Sequence, residues 1–110
     1  MEPQHPVQHL SSRARFDPAK PTKLDCFRSP RLFVGLNCLD AGQAQPVHAH
    51  AGADKFYFVV AGNARFVIGD MTYDATAGDL VVAPADVPHG VERAIERTVL
   101  LVGIAPAPHG

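Results

Sequence analysis

The sequence is poor in the residues that mark several protein classes. Its 110 residues include two cysteines, no tryptophan and no excess of one charge, because ten lysines and arginines balance eleven acidic residues. Two cysteines exclude a disulfide framework, and Cys26 and Cys38 are not spaced as zinc ligands. We expect both to be reduced and packed, with one exposed reactive thiol as the alternative. The scattered, balanced charge excludes a basic surface for nucleic acid.

Long hydrophobic runs are also missing. The longest apolar runs, such as residues 80–85, fall far short of the roughly 20 residues that a transmembrane helix needs. Residues 1–20 lack the apolar segment of a signal peptide. We therefore expect a cytoplasmic protein with neither a membrane nor a nucleic acid as its partner. A chain of this length forms one domain.

Proline is concentrated at the start of the chain. Residues 1–30 hold five of the ten prolines and show no sustained periodicity. Such a segment is typical of an extended arm that is frayed at its start and lies along the domain from about Leu24. The sequence therefore predicts a flexible arm over residues 1–23 and a folded domain over residues 24–107.

Short apolar and β-branched segments separated by turn signals follow from residue 31 onward. The predicted strands cover residues 32–39, 55–61, 64–68, 71–73, 80–83 and 99–104. Gly69-Asp70 is a candidate two-residue hairpin turn between two of them. Many short strands at close spacing predict an all-β sandwich or barrel.

Three histidines of this β region are candidate metal ligands. His48 and His50 are two residues apart, so on a strand both rings would point to the same face. Joined by His89 from a distant strand, they would form a facial set of imidazole ligands. Taken alone, the His-Ala-His pair is a weak signal, because surface histidines are common.

The residues around this pair resemble the first motif of the cupin superfamily. That motif runs Gly, five residues, His-x-His, three or four residues, Glu, six residues, Gly. Here Gly42 is followed after five residues by His48-Ala49-His50, then by Asp54-Lys55 and Gly62. The match lacks the glutamate, because Lys55 stands at its position and Asp54 one residue before it.

A second segment resembles the second cupin motif. Gly78 is followed after five residues by Pro84, then by Asp86, which stands where the motif has glycine, and, after two more residues, by His89. With the flanking strands, the resemblance covers residues 31–105. It implies a double-stranded β-helix, or jelly-roll barrel, whose His48, His50 and His89 bind a divalent transition metal inside the barrel. Imidazole ligands suit Fe, Ni, Zn, Mn or Cu and do not choose among them.

The missing glutamate leaves two residues to interpret. Asp54 is either a fourth ligand or a solvated residue paired with Lys55, because a one-residue offset on a strand reverses the face unless a bulge intervenes. The ammonium of Lys55, if about 6 Å from a divalent ion, would be repelled by roughly 5 kcal/mol at an effective dielectric constant of 20. We expect Lys55 to point outward near the cavity mouth; the alternatives are loss of its proton or contact with an anionic substrate.

Resemblance to three-histidine cupins implies an oxidoreductase with dioxygenase-type chemistry on a small molecule, since three neutral ligands leave coordination positions open. The alternatives are a non-redox metal-dependent isomerase or cyclase and a non-catalytic small-molecule-binding module. No catalytic residue is evident. The candidate wall residues of the site are Phe56, Phe58, Phe66 and Val82, with Tyr57 and Tyr73 either polar contacts or structural residues.

Assembly is the last expectation from the sequence. The strands hold more apolar residues than one small barrel encloses, and an arm at residues 21–30 could add a strand to a neighbour's sheet edge. We therefore expect a homodimer.

Overall fold

The computed structural model describes residues 6–108, which form one short helix and nine β-strands. The elements are α1 (Leu10–Arg13), β1 (Thr22–Arg28), β2 (Phe33–Leu39), β3 (Gln45–His48), β4 (Asp54–Ala61), β5 (Asn63–Ile68), β6 (Met71–Thr76), β7 (Leu80–Ala83), β8 (His89–Ala94) and β9 (Thr98–Ala105). Within the described part of the chain, no helix is long and apolar enough to cross a membrane. Every strand predicted from the sequence is present.

The strands form two antiparallel sheets that face each other. One sheet has the order β1-β2-β9-β4-β7 and the other the order β3-β8-β5-β6. From β2 onward the chain passes from one sheet to the other at almost every connection, and only the β5–β6 hairpin stays within a sheet. This alternation produces a jelly-roll, as the sequence predicts.

Strand alternation decides which side chains enter the space between the sheets. On β4 the buried residues are Lys55, Tyr57 and Val59, and their even-numbered neighbours are more exposed. The buried apolar cluster of this interior comprises Leu39, Ala53, Tyr57, Val59, Ala64, Phe66, Ala75, Val81, Val91, Ala94, Leu100, Val102 and Ile104. Of the four residues predicted to wall the site, only Phe66 faces this interior, so the prediction is wrong for the other three. Phe56 packs over Gly103, while Phe58 and Val82 are exposed on the outer face.

A second apolar cluster lies apart from that interior, where the segment before β1 packs on the strands. Buried Cys26, Leu36, Cys38 and Val99 form it, and both thiols are unpaired, as expected. Leu10, Ala14 and Phe16 from the preceding segment pack against this cluster. Residues 1–5 of the predicted arm lie outside the described residues, and the predicted boundary after residue 23 falls within β1.

Candidate metal centre

The three candidate histidines come together at one end of the barrel. His48 is the last residue of β3, His89 is the first residue of β8, and the two are paired across the sheet. His50 lies two residues beyond β3, so the expectation that one strand carries both rings of the pair is wrong. The ligand atoms of the three residues nevertheless lie within 4.8 Å of one another. Among the described residues, this is the only such group of His, Cys, Asp or Glu.

Backbone carbonyls orient two of the rings. Nδ1 of His48 lies 3.0 Å from the carbonyl oxygen of Pro46, and Nδ1 of His89 lies 3.1 Å from that of Val87. An Nδ1–H that donates to a carbonyl leaves the Nε2 lone pair free, which is the usual outer-sphere arrangement of a metal-binding histidine.

The Nε2 atoms fit a shared ion. Those of His48 and His50 are 3.2 Å apart, and that of His89 is buried without a hydrogen-bond partner. Two imidazole nitrogens at about 2.1 Å from one metal ion are separated by roughly 3 Å. The donor set therefore suits a divalent transition metal, and the unpartnered nitrogen is the clearest sign of it.

A glycine lets the two histidine strands approach. A Cβ atom at Gly90 would lie 2.9 Å from the carbonyl oxygen of Gln45 and 3.0 Å from that of Pro46. Any other residue there would push β3 away from β8. Gly90 thus sets the distance between His48 and His89.

The surroundings favour neutral imidazole rings. Burial lowers the pKa of His89 to about 4, outweighing the opposing effect of the Val87 carbonyl. Burial also lowers the pKa of His50, followed by the charges of His48, Lys55 and Lys23. Neutral imidazole is the form that coordinates metals.

Lys55 points into the barrel, so the expectation that it points outward is wrong. The residue is 7% exposed, and its Nζ lies 4.6 Å from the ring centroid of Tyr57, an inward-facing neighbour on β4. Burial, together with the charge of Lys23, lowers the pKa of Lys55 to about 8. No described carboxylate lies within ion-pairing distance of Nζ.

Asp54 and Asp86 join the two histidine-bearing loops. Asp54 is exposed, and its Oδ1 accepts the Ala85 N–H at 2.8 Å, so it is not placed as a fourth ligand. The Asp86 N–H donates to the His50 carbonyl at 3.1 Å, and its carboxylate accepts the Gly52 N–H at 3.3 Å. This loop clamp was missed from the sequence.

The backbone at Asp86 explains a departure from the cupin motif. Its φ is +68°, and it is the only described non-glycine residue with positive φ. Glycine fills this position in the motif without steric cost, and aspartate is among the few residues that tolerate it. Aspartate at a motif glycine is thus a sequence signal that could have revealed the clamp.

The two tyrosines have different positions. Tyr57 is buried between Phe66 and the histidines, with ring centroids 4.9 Å from Phe66 and 6.3 Å from His89. Its hydroxyl has no hydrogen-bond partner, and burial raises its pKa. Tyr73 is half exposed and lines a groove of about 390 Å³. The groove lies along the strand edges of β6 and β7 and contains none of the three histidines.

Comparison with known proteins agrees with this geometry. The family model for the cupin domain matches residues 35–103. An uncharacterised protein of Streptomyces coelicolor is 36% identical over 83 residues, which make up 76% of this chain and 78% of that protein.

Solved structures are similar over nearly the whole chain. The protein TT1209 from Thermus thermophilus has a TM-score of 0.87 and 37% identity, covering 93% of this chain and 98% of that one. An RmlC-like cupin protein from Desulfovibrio desulfuricans has a TM-score of 0.84 and 34% identity, with coverages of 93% and 98%. A Klebsiella pneumoniae protein with a double-stranded β-helix domain has a TM-score of 0.87 at 19% identity and covers 96% of this chain and 94% of that one. The predicted double-stranded β-helix is confirmed.

Proposed function

The chain belongs to the cupin family, and from that premise we propose that His48, His50 and His89 hold a divalent transition metal at which a small molecule binds. The observation that carries the proposal is the Nε2 atom of His89, which is buried, unpartnered and grouped with the two other rings. A buried nitrogen without a partner costs free energy unless something binds it.

The activity that we favour is dioxygenase-type oxidation of the bound molecule. A metal held by three neutral imidazoles would supply Lewis acidity and, for Fe, Ni, Mn or Cu, redox chemistry at open coordination positions. The chain itself would contribute orientation and a dry site. Tyr57 carries an unpartnered hydroxyl beside His89, and Phe66 packs behind it.

A non-catalytic binding module is the second candidate. It is favoured by the absence, among residues 6–108, of a buried carboxylate that could act as a general acid or base. A metal-dependent isomerase or cyclase would also need a proton-transfer group, for which Lys55 and Tyr57 are the inward-facing candidates.

Metal analysis of untagged protein tests the site. Wild-type protein should hold close to one equivalent of metal, and His48→Ala and His89→Ala should hold almost none while keeping the β-rich circular dichroism spectrum. His9→Ala is the matched control, because His9 contacts Ser11 and lies outside the site. Near-equimolar metal in both site variants would refute the assignment.

Oxygen uptake then separates the two candidate functions. Iron-loaded protein would be screened against small acids, thiols and diketones, with zinc-loaded protein as the redox-silent control. Oxygen consumption that depends on substrate and is lost in His89→Ala supports the oxidoreductase. Thermal stabilisation by a compound without turnover supports the binding module.

The homodimer is likewise our proposal. Strand β1 pairs with β2 and forms one edge of its sheet, where a strand of a second copy could add beside the Gln8 and Arg13 side chains that donate to the carbonyls of Cys26 and Asp25. Sedimentation at tens of micromolar protein should give the mass of two chains, and a single-chain mass would exclude the dimer.

A further inference from the structure

Lys55 is a buried cation that lacks an anionic partner. Its side chain enters the barrel at the histidine end, and its charge acts on both His50 and His89. Charged side chains are almost never buried unless they are paired. The Tyr57 ring under Nζ compensates only part of the lost hydration. A further group is therefore needed to stabilise the charge of Nζ.

A second lysine adds to the positive charge. Lys23 is exposed on β1, and its charge lowers the pKa of both Lys55 and His50. The charges of two lysines from different strands thus act on His50. A divalent metal there, which the proposed function requires, would raise the positive charge further.

Among residues 6–108, no acidic side chain balances this charge. The buried polar and charged residues between and around the sheets are Asn37, Gln45, Lys55, His89 and Thr98, none of them a carboxylate. Asp54, the acidic neighbour of Lys55, is exposed, and its Oδ1 accepts the Ala85 N–H. A negative charge supplied from outside the chain would balance that of Lys55.

Resting on the proposed metal function, we propose that the site binds an anionic small molecule, one with a carboxylate or similar acidic oxygen group, and that Lys55 selects for its negative charge. Ammonium and metal would then act on the same ligand from two sides, and their mutual repulsion would be relieved only when the anion is present. A neutral ligand would leave the lysine unpaired and would bind more weakly.

Calorimetric titration of zinc-loaded protein at pH 7 tests the selection. Pyruvate serves as the anionic probe and pyruvamide as a neutral probe of the same size. Wild-type protein should bind pyruvate at least about tenfold more tightly than Lys55→Met does, and about tenfold more tightly than it binds pyruvamide. Lys20→Met, which removes an exposed lysine remote in sequence from the motifs, should match the wild type.

Lys55→Met should not weaken zinc binding, because removing a repelling cation leaves the zinc affinity unchanged or higher. Lys55→Gln repeats the test with a polar side chain should the methionine variant fold poorly, and the comparison of the two probes on wild-type protein needs no variant. Equal pyruvate affinity for wild type and the Lys55 variants would overturn the proposal. Failure of zinc-loaded wild-type protein to bind pyruvate at millimolar concentrations would overturn it as well.

Failure of the metal proposal gives a different result. In that case wild-type protein would hold no zinc, and the same titrations on metal-free protein would still address Lys55. Pyruvate binding that is lost in Lys55→Met but retained in Lys20→Met would support anion selection without a metal. Absent or unchanged binding would overturn it.

Discussion

The two ends of the barrel interior differ in the side chains that they bury, which are apolar at one end and polar at the other. The closed end consists of Leu39, Val59, Ala64, Ala94 and Leu100, each completely buried and offering only carbon to its neighbours. The histidine end, defined by His48, His50, His89, Lys55 and Tyr57, contains two buried polar atoms without partners and one unpaired ammonium. Each such polar atom costs on the order of 1–3 kcal/mol. The contrast indicates that the apolar end supplies most of the stability, whereas the histidine end is where we propose that a ligand binds.

Truncation at the closed end should have the largest effect. Leu100→Ala removes a completely buried side chain and should lower the free energy of unfolding by about 2–5 kcal/mol. Metal content per folded chain should not change. Denaturant titration and metal analysis measure the two quantities, with Val82→Ala on the outer face as the control, where less than about 0.5 kcal/mol is expected. Loss of metal in folded Leu100→Ala would contradict the separation of the two ends.

Acid should act on the histidine end. In the metal-free protein the pKa of His89 is lowered to about 4, below its ordinary 6.5. His89 in the unfolded chain therefore binds a proton more readily than in the folded chain. The free energy of unfolding reaches its full value above pH 6.5 and falls as the pH drops toward 4. Denaturation after chelator treatment across this window measures the slope. His89→Gln should show a shallower slope, and an unchanged slope would assign the acid sensitivity to other groups.

Restoring the carboxylate of the motif should strengthen the metal site. Lys55→Glu replaces an inward-facing cation by a potential anionic ligand and should tighten zinc binding by at least about tenfold, or 1.4 kcal/mol. Asp54→Ala is the matched control and should leave the affinity nearly unchanged, because the Asp54 carboxylate binds the loop backbone. Chelator competition with zinc measures both. A larger effect from Asp54→Ala would mean that the acidic neighbour, rather than residue 55, reaches the metal.

Removing one buried hydroxyl from each end compares how each hydroxyl affects the free energy of unfolding. Tyr57→Phe deletes a buried hydroxyl without a partner and should raise the free energy of unfolding by about 1–3 kcal/mol. Thr98→Val, near the closed end, deletes a buried hydroxyl that donates to Glu96 and accepts from Asn63, and should cost about 1–3 kcal/mol. Denaturation of the metal-free proteins measures both. Equal losses would mean that the Tyr57 hydroxyl is satisfied in solution.

The spacing of glycines and histidines was enough to predict the fold and the grouping of the three rings. Gly42, Gly62 and Gly78 all have positive φ where the chain turns, and His89 meets His48 across a strand pair. These features depend on local backbone geometry and on distances along the chain, which a sequence records directly.

Side-chain direction on β4 could not be predicted in the same way. A shift of one residue in the start of the strand exchanges Asp54 and Lys55 between the two faces, and the aromatic residues that follow change sides with them. The register is set by pairing with β7 and β9, including a bulge between Val59 and Ala61. The general preference of lysine for exposed positions led to the wrong prediction, because candidate functional sites are where such local rules are most often broken.

The loop clamp bears on how the protein would acquire the proposed metal. Asp54 and Asp86 hold the loop after His50 against the loop before His89 through backbone hydrogen bonds that need no ion. Much of the conformational entropy of the ligand loops is therefore lost during folding rather than during metal capture. Small zinc domains instead fold only when the ion binds, and chelators denature them. The ligand loops of this chain are preorganised, so a bound ion could leave and return, or be exchanged for another, without the barrel unfolding.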